Sequence, residues 1–177
     1  IVATLQRNGT LYEKTFVDAL RTRVTRELDE HRDTWPGEPR SGGLELMDEA
    51  SVEVDIGISR AMQLIDSTAE WELRELQTFT STLVGQGHVT AESNPFRPLV
   101  YATALWDAAC AVAQAQIQRA IILRNSAGVA AGLLKSAAAA ASTRLESQGV
   151  QPGAYRTVVL PSSAGFARPI AEPSRHG

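Results

Sequence analysis

The sequence predicts an all-α fold: an elongated antiparallel helical bundle of about four helices, with loops and a flexible C-terminal tail. Apolar residues recur every three or four positions along most of the chain, and prolines and glycines gather between those stretches. A length of 177 residues is typical of one domain. We therefore expect a single helical domain over residues 1–160 and a tail over residues 161–177.

The first predicted helix follows Asn8-Gly9, which is a turn signal. Thr10 and Glu13 have the spacing of a capping box, in which each side chain accepts a backbone N–H at a helix start. Apolar residues then follow at helical spacing, and the helix is expected to end near residues 31–33: Tyr12, Phe16, Ala19, Leu20, Val24 and Leu28. Residues 34–43 are rich in proline and glycine and predict a loop.

A second, much longer helix is predicted over residues 48–84. Its stripe consists of Val52, Ile56, Met62, Ile65, Ala69, Leu73, Leu76, Phe79 and Leu83. About 36 residues at about 1.5 Å each give about 55 Å, which is longer than a small domain is wide. The helix should therefore bend or pair with another helix as in a coiled coil. Gly57 is the position where we expect it to be weakest.

Two more helices are predicted in the second half of the chain. Pro98 fits a first helical position, and the stretch after it places Leu99, Ala102, Leu105, Trp106 and Ala109 on one side. After a polar pause at residues 114–116, the last long helix is marked by Ile117, Ile121, Val129, Leu133, Leu134 and Leu145. Gly149 should end it in the left-handed conformation. Residues 156–160 are the one β-like run.

The charge of the chain is divided unevenly along its length. The net charge is −3, but residues 44–92 carry ten acids against two bases, whereas residues 93–177 carry eight bases against three acids. An overall acidic chain is unlike a nucleic-acid binder, which needs a basic face. The two regions should attract each other, within one chain or between chains, although solvated helix faces of differing composition explain the pattern equally well.

Composition also bears on the compartment. The single cysteine, Cys110, has no intramolecular disulfide partner. No stretch approaches the roughly 20 apolar residues that span a bilayer. These observations favour a cytoplasmic location. The chain opens on Ile1 rather than Met, so we expect it to be a piece of a longer protein.

No residue pattern indicates catalysis, a metal site or a cofactor. His31, His88 and His176 have no partner at i+3 or i+4, and no phosphate-binding glycine loop or nucleophile elbow is present. The acidic residues of the long helix lack the Glu-x-x-His pairs of helix-bundle di-iron sites, and so predict a solvated face. Cys110, in an alanine-rich turn, predicts a small buried hydrophobe.

Two stretches carry the candidate binding residues. On the long helix, Trp71 lies between two glutamates and is followed by Arg74. Trp and Arg dominate interface hot spots, but a tryptophan in this position is more often the edge of a core than a binding anchor. Around the Ser-Asn-Pro-Phe-Arg-Pro corner the candidates are Asn94, Phe96, Arg97, Tyr101 and Trp106. The structural interpretation of that corner is a helix-to-helix turn in which Asn94 bonds the backbone, Phe96 enters the core and Arg97 pairs with an acid on the preceding helix.

Four short motifs resemble a large bacterial family defined by a domain of unknown function. They are Leu-Glu-Leu-Met-Asp-Glu at 44–49, Trp-Glu-Leu-Arg-Glu-Leu at 71–76, Glu-Ser-Asn-Pro-Phe-Arg-Pro at 92–98 and Gly-Val-Gln-Pro-Gly at 149–153. The resemblance covers about residues 44–160, and family members are long helical proteins that often carry the label thymidine phosphorylase. It implies no catalytic residues. A nucleoside phosphorylase needs a phosphate-binding loop and an α/β domain, and this sequence offers neither.

Two hypotheses follow for the function. The first is a non-catalytic scaffold or protein-interaction module that pairs through the long helix of residues 48–84 with a protein partner or a second copy. The alternative is a ligand-binding regulatory domain, or part of an enzyme, with a pocket formed by Arg74 and the residues near the corner; its ligand is unknown. A deep pocket with a buried, unpaired arginine would favour the alternative.

Overall fold

The computed structural model of the chain describes residues 2–33, 49–85 and 94–154. Four helices account for most of these residues: α1 (Val2–Asp33), α2 (Glu49–Leu83), α3 (Pro98–Val112) and α4 (Gln116–Ser147). The predicted all-α bundle of four helices is confirmed. The predicted loop over 34–43, the β-like run over 156–160, the tail and the domain boundary at residue 160 fall outside the described residues.

Helix α1 starts earlier than the turn signal predicts. It begins at Val2, and the Asn8-Gly9 pair lies inside it, where Asn8 has non-helical angles (φ −116°, ψ 17°). The prediction that the helix begins at Thr10 was therefore wrong. The turn signal corresponds to a kink, because an asparagine side chain favours non-helical backbone but did not outweigh the packing of the segment before it.

Helix α2 bends at Ala69 (φ −120°, ψ 20°) and not at the predicted Gly57. The hydroxyls of Ser67 and Thr68 both donate to the Leu64 carbonyl oxygen, at 3.2 and 2.7 Å. Side-chain donors on a helical carbonyl compete with the backbone ladder and bend helices, which accounts for a kink at the next residue. Gly57 keeps helical angles where the Leu123 side chain packs against it.

The two long helices α2 and α4 lie side by side and run in the same direction. The Cβ position at Gly57 is 3.6 Å from Leu123 Cδ2, that at Gly128 is 3.9 Å from Leu64 Cδ2, and Lys135 Nζ is 3.6 Å from Glu72 Oε1. Residue numbers rise together on both helices, so the pairing is parallel. It provides the predicted helix partner for α2 within the chain.

Helix α3 is the short return between α2 and α4 and forms the centre of the fold. It contacts all three other helices, whereas α1 packs mainly on α3. More than half of its positions are buried: Val100, Tyr101, Ala102, Ala104, Leu105, Ala108, Ala109 and Val112. Pro98 occupies its first turn, as predicted.

The core combines a few large side chains with many alanines. Ile65, Ile122 and Leu123 are the largest fully buried residues. Each buried side chain of this size contributes roughly 1.5–3 kcal/mol. Alanines on α3 and α4 let the helices approach closely around them. The small residues therefore set the spacing of the bundle, and the few large ones fill its centre.

The end of α4 is fixed against the end of α2. Gly149 has φ +81°, the predicted left-handed position, and its N–H donates to Glu146 O at 2.9 Å. Four residues later the N–H of Gly153 donates to Thr78 O at 2.8 Å. The chain that follows α4 is thereby held beside the last two turns of α2.

Candidate functional site

The seven predicted binding residues lie in two separate parts of the fold. Trp71 and Arg74 are on α2, where they line one surface depression. The other five belong to the corner before α3 and to α3 itself: Asn94, Phe96, Arg97, Tyr101 and Trp106. The structure therefore does not unite them around one pocket.

The corner before α3 is held by Asn94. The Phe96 N–H donates to Asn94 Oδ1 at 2.9 Å, and the Arg97 N–H donates to Asn94 O at 3.2 Å. Asn94 is buried, and Phe96 is half-buried against the core. The side chain of Asn94 thus closes a tight turn that delivers Pro98 to the first turn of α3, as the structural interpretation predicts.

Arg97 is ion-paired with a residue of α1. Its Nη2 lies 2.6 Å from Glu27 Oε1. The predicted acid on the preceding helix is thus on α1 rather than α2, because α1 is the helix that packs along α3. A second pair, Arg23 Nη2 with Asp107 Oδ2 at 2.5 Å, joins the same two helices. Arg97 therefore helps to hold the bundle together.

Tyr101 and Trp106 pack in the core. Tyr101 is almost fully buried, and this burial raises the pKa of its hydroxyl to about 12. Trp106 is partly buried against the same cluster. On α1, Tyr12 donates its hydroxyl to Ser126 Oγ at 2.8 Å, and burial raises the pKa of Tyr12 as well, with the bond to Ser126 opposing the shift.

Cys110 on α3, predicted to be a small buried hydrophobe, is half-buried. Burial raises the pKa of its thiol, with Arg119 lowering it and Asp107 raising it further. A thiol of raised pKa is mostly protonated near neutral pH and is a poor nucleophile. No group of three or more metal-ligating side chains occurs in the part of the chain that the structure describes.

Trp71 lines the larger of the two depressions on the described part of α2. It is 76% exposed, and the depression of about 580 Å³ is lined by Trp71, Glu72, Arg74, Glu75 and Thr78. Arg74 Nη2 is 3.0 Å from Glu70 Oε1 one turn earlier. These lining residues come from two turns of one helix, so the feature is shallow. It suits a protruding side chain of another protein better than an enclosed small molecule.

A second depression, of about 490 Å³, lies at the start of α2. It is lined by Val52, Asp55, Ile56, Ser59, Arg60 and Gln63. These residues are not among the predicted binding residues. The available signal was the apolar stripe at the start of the long helix, since Val52 and Ile56 belong to that stripe and are exposed.

The exposed face of α4 is the feature that the predicted site residues miss entirely. Val129 and Leu133 are both 67% exposed. Val129 and Leu133 follow Ser126 at i+3 and i+7, which places them on the side of α4 that carries the contact to Tyr12 of α1. Gly128 and Lys135 contact α2 instead. This α4 face therefore differs from the Trp71 surface.

Among helices within the described ranges, none combines the length and apolarity that crossing a bilayer requires. Comparison with known proteins gives one match: a family model described as the N-terminal domain of a protein of unknown function (DUF1631) covers residues 2–149. No curated protein and no solved structure matches the chain. The predicted resemblance to a domain-of-unknown-function family is confirmed.

Proposed function

Since this chain belongs to the DUF1631 family, whose function is unknown, we propose its role from its own surface: it is a non-catalytic helical scaffold that binds other proteins. Membership of this family implies no activity, so the role is inferred from physical features of the chain's own surface. The cytoplasmic and bacterial setting expected from the sequence is part of the same proposal.

The observation that supports this role is the exposed apolar face of α4. A helix that is apolar all round is normally buried on all sides. Helix α4 buries Ile122 and Leu123 while Val129 and Leu133, one turn apart, stay exposed. Large exposed apolar side chains that share one face mark protein–protein contacts.

A second copy of the chain is the partner that this face fits best. The exposed stretch around Val129 and Leu133 carries no charge of its own, since its other members are Asn125, Gly132, Ser136 and Ala140. Two such faces can meet without like charges being buried, and the small residues beside Val129 and Leu133 leave room for their counterparts. Self-association is thus the form of the proposal to test first.

The uneven charge of the chain supports the contact between α2 and α4 within one molecule, and not the contact between two copies. Helix α2 carries seven acids against two bases, and α4 four bases against one acid. These helices lie together within one chain, where Lys135 meets Glu72. The attraction expected between the acidic region (44–92) and the basic region (93–177) is thus satisfied by contacts within one chain. Association through α4 should consequently depend on apolar contact and resist salt.

The experiment is light scattering coupled to size-exclusion chromatography, at low and high salt and over a range of concentrations. We expect a dimer that persists in high salt and becomes a monomer when Val129 and Leu133 are both changed to serine. Val17→Ser on α1, also at an exposed apolar residue, is the control and should leave the dimer intact. A monomer at every concentration, or a dimer indifferent to the double change, contradicts the proposal.

The alternative of a ligand pocket at the corner is not favoured by any contact there. Its arginine, Arg97, already meets Glu27, and Tyr101 is buried in the core. Asn94 is occupied by the turn that it closes.

A further inference from the structure

We infer that the Trp71 depression on α2 is a docking site for a positively charged amphipathic segment of a partner protein. The inference goes beyond self-association through α4, since it concerns another helix and another partner. Trp71 is the most exposed of the large apolar side chains that the structure describes. Tryptophan is one of the residues enriched among the hot spots of protein contacts.

The charges around Trp71 favour a partner segment of positive charge. Glu70, Glu72 and Glu75 surround it on α2. The two bases nearby are already engaged: Arg74 is 3.0 Å from Glu70, and Lys135 is 3.6 Å from Glu72. The local excess is negative, and α2 as a whole carries seven acids against two bases. This surface attracts a basic segment and repels nucleic acid and anionic lipid.

The chemistry of the depression fits a side chain that is both apolar and cationic. The face of an indole attracts Lys or Arg through its negative quadrupole. The Glu72 and Glu75 carboxylates line the same depression and can accept hydrogen bonds from that cation. A volume of about 580 Å³ also leaves room for an apolar neighbour of the cation. A helix with Lys or Arg beside Leu presents both on one face.

The rigidity of this surface favours docking without rearrangement. Directly behind Trp71, the neighbouring α2 positions Ala69 and Leu73 are buried in the core. At the far end of the depression, Thr78 is held through its carbonyl by the N–H of Gly153 at 2.8 Å. A partner therefore meets a preformed surface and loses little affinity to ordering it.

The test uses a synthetic helical peptide of about 18 residues, or five turns, made of leucine and lysine in an amphipathic pattern. A second peptide has glutamate at each lysine position. Binding of each to the full chain is measured by fluorescence anisotropy of the labelled peptide, at low and at high salt. We expect the basic peptide to bind with an affinity that falls as salt rises, and the acidic peptide not to bind.

The variants separate this site from the rest of the surface. Trp71→Ala should weaken binding of the basic peptide by about tenfold or more, as expected for a hot-spot tryptophan. Glu75→Lys should also weaken binding of the basic peptide and reduce the dependence of that binding on salt. Both residues are exposed, so the folded state should persist, and circular dichroism checks this. The double change of Val129 and Leu133 to serine should leave peptide binding unaltered.

Any of three results would overturn the inference: equal binding of the two peptides, unchanged binding to Trp71→Ala, or loss of binding only in the Val129 and Leu133 variant. Binding of anionic lipid vesicles that depends on Trp71 would also overturn it. Because the α4 variant is measured in both experiments, failure of self-association and failure of this site are distinguishable.

Discussion

Arg97 Nη2, in the turn before α3, lies 2.6 Å from Glu27 Oε1 on α1, and the Glu27 side chain is only 10% exposed. The two residues are 70 positions apart, so the pair joins distant parts of the chain. Together with Arg23 and Asp107, it ties α1 to α3 by charge as well as by apolar contact.

Removing the buried member of this pair should destabilise the fold. Glu27→Ala leaves the Arg97 guanidinium partly buried without its carboxylate, which costs 3–5 kcal/mol at fully buried sites. Because about a third of the Arg97 side chain is exposed, water recovers part of this and we expect a loss of about 2 kcal/mol. Urea unfolding measures it. Glu13→Ala, exposed on the same helix, is the control and should change stability by less than about 0.5 kcal/mol.

Two isoleucines of α4 offer a matched comparison of burial. Ile122 is fully buried and Ile117 is 71% exposed. Ile122→Ala should cost about 3 kcal/mol, because it removes buried methyl groups and leaves a cavity. Ile117→Ala should change the free energy of unfolding of the monomer by less than about 0.5 kcal/mol. Thermal or urea denaturation at low protein concentration measures the free energy of unfolding of both variants. Similar losses of stability would mean that α4 buries a different face from the one that carries Ile122.

Gly132 within α4 and Gly149 just after its end should respond to alanine with opposite signs. Gly132 has helical backbone and no atom within 4 Å of its Cβ position, so Gly132→Ala should stabilise by about 0.5–1 kcal/mol. Gly149 has φ +81°, where an added Cβ costs about 1–2 kcal/mol. Unfolding midpoints of the two variants should therefore move in opposite directions. A stabilising Gly149→Ala would show that the helix does not end in the left-handed conformation.

The burial of Tyr101 should make stability fall at high pH. Its pKa is about 12 in the folded state, against about 10 in an unfolded chain, so the folded state holds the proton more tightly. The protonated, buried Tyr101 makes its full contribution to the free energy of unfolding below pH of about 10. As pH rises toward 12, the free energy of unfolding falls by roughly 2–3 kcal/mol. Unfolding free energies of the wild type and Tyr101→Phe, measured below and above pH of about 10, should differ in slope. Equal slopes would contradict a buried hydroxyl.

The helix ends at Pro98 and Gly149 were predictable from the sequence because the residues that begin and end a helix act locally. Pro98 and Gly149 have the same roles in the structure as in the prediction, since each acts through its own backbone angles. Gly57 shows the limit of this reasoning. Its weakness was outweighed by the packing of Leu123, while the bend at Ala69 arose from two hydroxyls on one carbonyl.

The face that α4 buries was not predictable from periodicity. Ile117, Val129 and Leu133 marked the helix correctly, but Ile122, Leu123 and alanines form its buried side. A helix with apolar residues all round has no preferred face until its neighbours are placed. The partner of Arg97 was not predictable for a related reason: the sequence suggested an acid on the preceding helix, whereas the acid that Arg97 meets, Glu27, lies on α1.

The parallel arrangement of α2 and α4 has an electrostatic consequence for the ends of the bundle. Each helix carries a macrodipole equal to roughly half a positive charge at its N-terminus and half a negative charge at its C-terminus. In an alternating bundle these cancel between neighbours. Here α2 and α4 add, and α3, less than half as long as α2, opposes them across only part of their length. The bundle is therefore polarised along its axis, with the positive pole where α2 and α4 begin.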